Sequence, residues 1–292
     1  MKQAEKLKTT IRESYGAIAR REEANGCCDN TACCAPEIAT EGMAVDYAGQ
    51  EGYVPEADLS LGCGIPTEIA AIQPGHTVLD LGAGAGNDVF IARRLVGESG
   101  RVIGLDMTPE MVIRAWQNNQ KLGYNNVEFV LGEIEDMTHI PSAEVDVVIS
   151  NCVMNLVPNK EKAFAEMYRV LKKGGHFSIS DIVYTGYLPD NILEAAEMYA
   201  GCISGSGEKG TYLGIIKDAG FKHIQIKKER RIELPESLLA QHLNPEELKA
   251  YKQSEAGIYS ITVFAEKLEE GDCCESNESD CCGSTESAGG CC

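Results

Sequence analysis

The chain has 292 residues and a formal net charge of -19, from 26 Lys and Arg against 45 Asp and Glu. This length can bury a core that needs no covalent staples, and so acidic a chain lacks the cations that bind nucleic-acid phosphates or anionic membrane surfaces. Met1–Glu23 lacks the apolar centre of a signal peptide, and no apolar run approaches the ~20 residues that span a bilayer. We therefore expect a soluble, cytoplasmic protein without nucleic-acid or membrane partners.

The first predicted element is an amphipathic helix over Met1–Glu23, where apolar residues recur at helical spacing from Leu7 to Ile18. Residues 24–60, which contain Cys, Gly and Pro, are expected to form a mobile connection. Residues 1–60 are thus predicted to be a helix followed by a Cys-rich connection.

Strands and helices then alternate at a spacing typical of a parallel, doubly wound α/β sheet. Glycines in Lys172–Gly175 are expected to end the last helix of this series. The predicted strands are His76–Leu81, Arg101–Leu105, Val127–Leu131, Val145–Ser150 and His176–Ser180, and the predicted helices are Asn87–Val96, Pro109–Leu122 and Lys160–Leu171.

The alternation loosens after Asp181, which indicates a smaller α+β region. We predict helices at Asn191–Ala200 and Tyr212–Ala219, and an antiparallel pair of strands at Phe221–Lys228 and Ile258–Glu266. The aperiodic stretch that follows is expected to be disordered. The predicted domains are therefore 61–184 with the parallel sheet, 185–268 with the α+β region, and a cysteine-pair tail at 269–292.

A glycine-rich turn follows the first predicted strand of the sheet. That strand carries Asp80, and Gly82, Gly84 and Gly86 come after it. Glycines let the backbone pass close to a ligand where a Cβ would collide. The dinucleotide fingerprint G-x-G-x-x-G fails here, because Asn87 occupies its last position.

The spacing D-x-G-x-G-x-G resembles the first motif of class I S-adenosylmethionine-dependent methyltransferases. The resemblance implies a Rossmann-like fold and assigns S-adenosylmethionine to this turn. It also implies that Asp106 binds the ribose hydroxyls, that Met107 packs on the adenine, and that Ile134 and Glu135 cap the adenine and bind its amino group. Asn151 completes the predicted cofactor site. A turn without a ligand, or one for a nicotinamide, is the alternative.

Thirteen cysteines in a reducing compartment indicate metal-binding or catalytic thiols rather than disulfides. A structural zinc site is disfavoured, because no pair has the C-x2-C spacing that such sites use. Ten of the thirteen form adjacent pairs: Cys27–Cys28, Cys33–Cys34, Cys273–Cys274, Cys281–Cys282 and Cys291–Cys292.

The three single cysteines are Cys63, Cys152 and Cys202, each in a glycine-rich or strand-terminal setting. A free cysteine is often a small buried hydrophobe, but three in such settings favour a binding site. The motifs Leu61-Gly62-Cys63-Gly64, Ser150-Asn151-Cys152-Val153 and Gly201-Cys202-Ile203-Ser204-Gly205 resemble those of the arsenite methyltransferases.

This second resemblance implies that Cys152 and Cys202 hold trivalent arsenic, with Cys63 as a third ligand and redox partner. Soft thiolates suit arsenic, whose lone pair can accept the methyl group without a general base. Methylation oxidises arsenic, so two electrons must return. We expect Cys63 and Cys34, or its neighbour Cys33, to supply them as a disulfide that thioredoxin or glutathione reduces.

Two other functions fit parts of the sequence. A class I methyltransferase for a small organic carbon or oxygen acceptor would share the cofactor turn but would not need the thiols. A thiol-rich metalloid-binding protein would explain the cysteine pairs but not the cofactor turn. The tail pairs either capture arsenite for the site or are a dispensable extension.

Overall fold

The computed structural model describes residues 2–21, 45–188 and 207–269. The predicted α/β class is confirmed, and three elements have the predicted bounds: the helices Asn87–Val96 and Pro109–Leu122 and the strand Val127–Leu131. Several of the predicted features lie outside the described residues: the helix Asn191–Ala200, the cysteines Cys33, Cys34 and Cys202, and residues 270–292.

The helices are α1 Lys2–Arg21, α2 Asn87–Val96, α3 Pro109–Leu122, α4 Lys160–Val170, α5 Lys209–Asp218, α6 Glu236–Leu239 and α7 Pro245–Gln253. The strands are β1 Thr77–Leu81, β2 Arg101–Asp106, β3 Val127–Leu131, β4 Val145–Asn151, β5 Leu171–Thr185, β6 Gly207–Glu208, β7 Lys222–Ile232 and β8 Gly257–Glu266.

One sheet runs through the molecule in the order β3-β2-β1-β4-β5-β8-β7, with β6 beside the end of β5. The strands β1 to β5 pair in parallel, as the strand and helix alternation predicts. Their carboxyl ends therefore meet at one edge of the sheet. From β1, the chain first adds β2 and β3 on one side and then β4 and β5 on the other, so the strand order reverses between β1 and β4. A crevice for ligands forms at such a point in open α/β sheets.

The predicted antiparallel pair of strands is present as β7 and β8, but it extends the parallel sheet rather than forming a separate one. β8 lies inside the sheet, between β5 and β7, and seven of its ten residues are buried, on both faces. Helix α4 ends at Val170, before the predicted glycines, because Leu171 already pairs with Val145 of β4.

Helix α1 packs against α3, and its buried face differs from the predicted one. Ile11 and Ala19 are buried, whereas Leu7 is exposed and Lys8 turns inward in its place. Arg114 of α3 donates a 3.0 Å hydrogen bond to the carbonyl of Ala19. No helix in the described ranges is long and apolar enough to cross a membrane.

Candidate active site

A cavity opens at the carboxyl ends of β1, β2 and β4. The described residues that line it include six acids and a single Lys. Such a negative surface favours a cationic ligand and disfavours an anionic one such as a pyrophosphate. The six acids are Asp58, Asp80, Asp88, Asp106, Glu133 and Glu135.

The glycine turn forms one wall of the cavity. Gly82 and Gly84 line it with positive φ angles of 73° and 52°. A Cβ at Gly82 would lie 2.3 Å from Val153, whereas one at Gly84 would meet nothing within 4 Å. Gly86, predicted to bind the cofactor, is not among the lining residues. It starts α2 with φ 99°, and its Cα faces the ring of Phe90.

Asp106 at the end of β2 holds the glycine turn in place. Its carboxylate accepts hydrogen bonds from the backbone N–H of Gly84 at 2.9 Å and of Thr108 at 2.8 Å. Met107, which follows it, also lines the cavity. The residues predicted for the ribose and for the adenine thus lie on the same wall.

Three carboxyl groups lie around the glycine turn: Asp80 and Asp88 are buried, and Asp106, which binds the turn, is half-buried. Burial, together with the charges of Asp88 and Asp106, raises the pKa of Asp80 well above its usual range. Burial also raises the pKa of Asp88 to about 6, against the lowering effect of hydrogen bonds from Asn151 and Tyr47. Burial raises the pKa of Asp106, and the hydrogen bonds that its carboxylate accepts from backbone N–H groups offset part of this increase. A bound cation would lower these pKa values and stabilise the ionised carboxylates.

Helix α1 covers the far end of the cavity through ion pairs. The Lys8 ammonium lies 2.7 Å from carboxylate oxygens of both Glu133 and Glu135, and Arg12 pairs with Glu133. Burial opposes the charged form of Lys8, but the two glutamates outweigh it, so the pKa of Lys8 is raised. Ile134 lies between those glutamates on the cavity wall.

Asn151 at the end of β4 joins the cavity to the loop that carries Cys63. Its side-chain oxygen accepts hydrogen bonds from the backbone N–H groups of Cys63 at 3.1 Å and Gly64 at 3.3 Å. Its amide donates to Asp88 at 3.1 Å, and the Tyr47 hydroxyl also lies 3.1 Å from that carboxylate. Asn151, predicted as a cofactor residue, lines the cavity. Most of its hydrogen bonds connect the end of β4 to the Cys63 loop and to Asp88 of α2.

The sulfur atoms of Cys63 and Cys152 are bonded to each other across 89 residues of chain. Cys152 lines the cavity, in a left-handed conformation with φ 57°. The sequence predicted Cys34, or its neighbour Cys33, as the redox partner of Cys63; both lie outside the described residues, and the sulfur bonded to Cys63 in the structure is that of Cys152. Asn151 holds the Cys63 loop directly over the end of β4, which brings Cys152 to it.

Apolar side chains from the end of the sheet enclose this pair of sulfurs. Cys63 is 2% exposed and Cys152 is 3% exposed. The Ser260 hydroxyl donates to the carbonyl of Cys63 at 2.7 Å, which fastens the loop to β8. The neighbouring apolar residues are Ile182, Leu188, Ile232, Leu234, Leu239 and Ile258.

The turn that follows Cys152 rests on a buried acid that the sequence did not reveal. Asp181 is fully buried on β5 and accepts a 3.2 Å hydrogen bond from Tyr212. Burial raises the pKa of Asp181 to about 7, against hydrogen bonds from backbone N–H groups and the nearby charge of Lys160. The Lys160 ammonium donates to the carbonyl of Val157 at 3.2 Å. Together these groups fix the turn that lines the cavity.

Sequence reasoning also missed Tyr47, Asp88 and Lys8. None of them stands in a recognisable motif, and their contacts span 41 to 125 residues of chain. The only available signal was the position of Asp88 next to the glycine turn.

A model of a methyltransferase domain family matches residues 72–220. The arsenite methyltransferase of Halobacterium salinarum is 41% identical over 76% of this chain and 59% of its own length. The arsenite methyltransferase of Homo sapiens is 33% identical over 68% of this chain and 54% of its own. The chain therefore spans a little over half the length of these curated relatives.

A solved structure is similar over a larger share. It is the arsenic(III) S-adenosylmethionine methyltransferase of Chlamydomonas reinhardtii, with a TM-score of 0.60 and 31% identity over 81% of this chain and 76% of that one. The mixed sheet, with its cavity at the strand ends, is that of a class I methyltransferase. Within this class, the chain belongs to the arsenite methyltransferase family.

Proposed function

We propose that the protein transfers the methyl group of S-adenosylmethionine to trivalent arsenic held by Cys63, Cys152 and Cys202, giving methylated arsenicals. The observation that carries this proposal is that Cys152 lines a strongly acidic cavity and that its sulfur lies directly against the sulfur of Cys63. Detoxification of arsenic is the purpose that such an activity serves. A reducing, cytoplasmic location fits the thiol chemistry.

The acidic cavity fits the proposed cofactor. S-adenosylmethionine supplies an electrophilic methyl group on a sulfonium centre, and it carries an ammonium group as well. Asp80 and Asp88 would face these positive charges, and Asp106 would accept the ribose hydroxyls. Met107 and Ile134 would pack against the adenine, and Glu135 would accept its amino group in exchange for part of its contact with Lys8.

Cofactor affinity should fall as the pH falls through about 6. A cation binds the ionised carboxylates best, and the pKa of Asp88 is raised to about 6 by burial. Below that pH the Asp88 carboxyl takes up a proton. Binding of the cationic cofactor must then release this proton, which weakens binding. We expect the Kd for S-adenosylmethionine to be flat above pH 7 and to rise roughly threefold or more by pH 5.5. Calorimetric titration would measure this dependence.

The matched control for that prediction is S-adenosylhomocysteine, which lacks the sulfonium charge. Its Kd should depend on pH less steeply than that of S-adenosylmethionine. Equal slopes for the two ligands would contradict the electrostatic account.

Replacing Lys8 should loosen the cover over the cavity. In Lys8→Met, helix α1 loses both ion pairs of the ammonium, and Glu133 and Glu135 face each other without a cation between them. We expect the Kd for S-adenosylmethionine to rise about threefold to tenfold, mainly through faster release in stopped-flow experiments. Lys6→Met, on the exposed face of the same helix, should leave Kd and release rate unchanged.

The thiols would bind arsenic and return its electrons. Two thiolates and a third from Cys202 leave the arsenic lone pair opposite the sulfurs, where it takes the methyl group. The arsenic, now pentavalent, would lose its bonds to Cys63 and Cys152 as those sulfurs join and pass two electrons to it. Glutathione or water would then bind the trivalent methylarsenic that stays on Cys202, fill the vacated position and release a proton. The bond between these two sulfurs in the structure is compatible with the product of such a step.

A further thiol must reopen this disulfide. We propose that Cys34, or Cys33, attacks Cys63, releases Cys152 as a thiolate, and forms the Cys63–Cys34 disulfide that the sequence predicted. Thioredoxin or glutathione would then reduce it by exchange. A Cys34→Ser protein that completed successive methylations at the normal rate would show that this relay is wrong.

Formation of S-adenosylhomocysteine distinguishes the proposed acceptor from the alternatives. With reduced protein and S-adenosylmethionine, arsenite should start its formation, and a panel of quinone precursors and small phenols should not. Formation with an organic acceptor alone would favour the other methyltransferase class. A protein that binds arsenite but never forms S-adenosylhomocysteine would be a metalloid-binding protein.

The cysteine-pair tail is proposed to capture arsenite for the site. Removing residues 270–292 should raise the apparent KM for arsenite about threefold or more and leave kcat unchanged, because tethered thiols raise the local concentration of substrate. Steady-state rates at several arsenite concentrations would measure both constants. An unchanged KM would leave the tail as a dispensable extension.

A further inference from the structure

The sheet ends in an unusually basic strand. β7 holds five of the chain's 26 Lys and Arg within eleven residues, against a single Glu. It lies at the end of the strand order, so one of its edges pairs with no described strand. Among its cations, Lys222, Lys227, Lys228 and Arg230 are exposed.

The basic side chains lie on the same face of the sheet as the Cys63 loop. Lys228 pairs with Thr262 of β8, and Arg230 pairs with Ser260. Directly paired residues project to the same face, and the Ser260 hydroxyl binds the carbonyl of Cys63 at 2.7 Å. The row of cations therefore ends one strand away from the proposed arsenic ligand.

Residues 270–292 have the opposite charge. They contain six acids and no Lys or Arg, and the acids flank the cysteine pairs. Residues 267–269 connect this segment to the carboxyl-terminal end of β8, where Glu266 lies opposite Lys222 of β7. The segment thus starts at one end of the basic row, and the Cys63 loop lies at the other. The six acids are Glu270, Asp272, Glu275, Glu278, Asp280 and Glu286.

We propose that residues 270–292 bind along the basic row of β7 and bring their distal cysteine pairs to the edge of the sheet that holds Cys63 and Cys152. This rests on the proposed function, because it names how the same site would receive arsenite. Among the ion pairs of β7, Lys228 binds Glu68 of a neighbouring turn, and Glu229, the single Glu of the strand, is itself paired with Lys209.

Chain length decides which cysteine pairs can reach the site. Glu269 lies beside Gly174 at the start of β5, and the N–H of Cys152 donates to Ser180 six residues further along that strand. Six residues of strand span about 20 Å. Cys273 follows Glu269 by four residues, a reach of about 14 Å, whereas Cys281 follows it by twelve, a reach of about 40 Å. Cys274, five residues from Glu269, extends the reach of Cys273 to about 17 Å, which still falls short of the site, whereas Cys281–Cys282 and Cys291–Cys292 have chain to spare.

Zero-length carbodiimide coupling of the full-length protein tests the binding without requiring activity. Peptide mass spectrometry should find Lys227 or Lys228 linked to Glu275, Glu278 or Asp280. Lys121, exposed near the opposite edge of the sheet, is the matched control and should remain unlinked to the same segment. Equal coupling to Lys121, or none to β7, would overturn the proposal and leave the basic residues as protection of the sheet edge.

Kinetics test the delivery. Replacing Cys281, Cys282, Cys291 and Cys292 by Ser should raise the apparent KM for arsenite about threefold and leave kcat unchanged, as should Lys227→Glu with Lys228→Glu. Cys273→Ser with Cys274→Ser should change neither constant. Coupling to β7 with an unchanged KM in the four-cysteine variant would overturn the delivery. Because the coupling proceeds without turnover, failure of the binding remains distinct from failure of the proposed methylation.

Discussion

Cys152→Ser should abolish methylation of arsenic while leaving the cofactor cavity intact. Cys152 is the thiol that both lines the cavity and bonds to Cys63. A hydroxyl replaces a soft thiolate with a hard ligand of nearly the same size, so arsenic loses the contact that aims its lone pair at the cavity. We expect kcat/KM for arsenite to fall by roughly a thousandfold, an effect typical of lost positioning.

The Kd for S-adenosylhomocysteine should change by less than about twofold in the same variant, because no cofactor contact is assigned to that sulfur. The matched control is Cys273→Ser with Cys274→Ser, which replaces two cysteines that we propose cannot reach the site. We expect full activity in this variant. A Cys152→Ser enzyme that kept even a tenth of the wild-type rate would contradict the thiol site.

Asp106→Asn should weaken binding of the cofactor more than any other change to the cavity wall. The carboxylate holds the N–H groups of Gly84 and Thr108, so the substitution weakens two charge-assisted hydrogen bonds of the turn as well as the proposed ribose contact. Bonds to a charged group contribute about 1.5–3 kcal/mol each. We expect the Kd for S-adenosylmethionine to rise about thirtyfold or more in calorimetric titration.

Asp146→Asn is the control for that change. Asp146 also accepts a backbone N–H, from Thr77 at 2.8 Å, and pairs with Lys172 at 2.9 Å, but it lies at the opposite end of β4. It should lower the free energy of unfolding without altering the Kd. Equal Kd values in Asp106→Asn and the wild type would show that the ligand binds elsewhere.

The cavity wall formed by the glycine turn could be predicted from the sequence because its signals are local. A buried strand, a glycine turn and a helix follow one another directly, and Asp106 ends the next strand. The turn requires left-handed backbone at Gly82 and Gly84, which glycine provides cheaply. Gly86 fits the same pattern but only starts the helix, so the motif alone does not separate ligand contacts from packing.

The thiol site depended on distant contacts that periodicity cannot show. The sulfurs of Cys63 and Cys152 meet because Asn151 holds the Cys63 loop, and Tyr47 and Asp88 belong to the same network. The position of β8 inside the sheet likewise follows from burial on both faces, whereas its sequence indicated only one strand of a pair. These features arise from packing between parts of the chain that lie far apart.

Identifying the methylated product tests the central claim most directly. The reduced protein would be incubated with arsenite, thioredoxin, glutathione and S-adenosylmethionine that carries a deuterated methyl group, and arsenic species would be separated by chromatography with mass-spectrometric detection. We predict methylated arsenic that carries the deuterium label in the wild type and none in Cys152→Ser. Bound S-adenosylmethionine without labelled arsenic, or equal labelling in the variant, would contradict the claim that these thiols present arsenic for methylation.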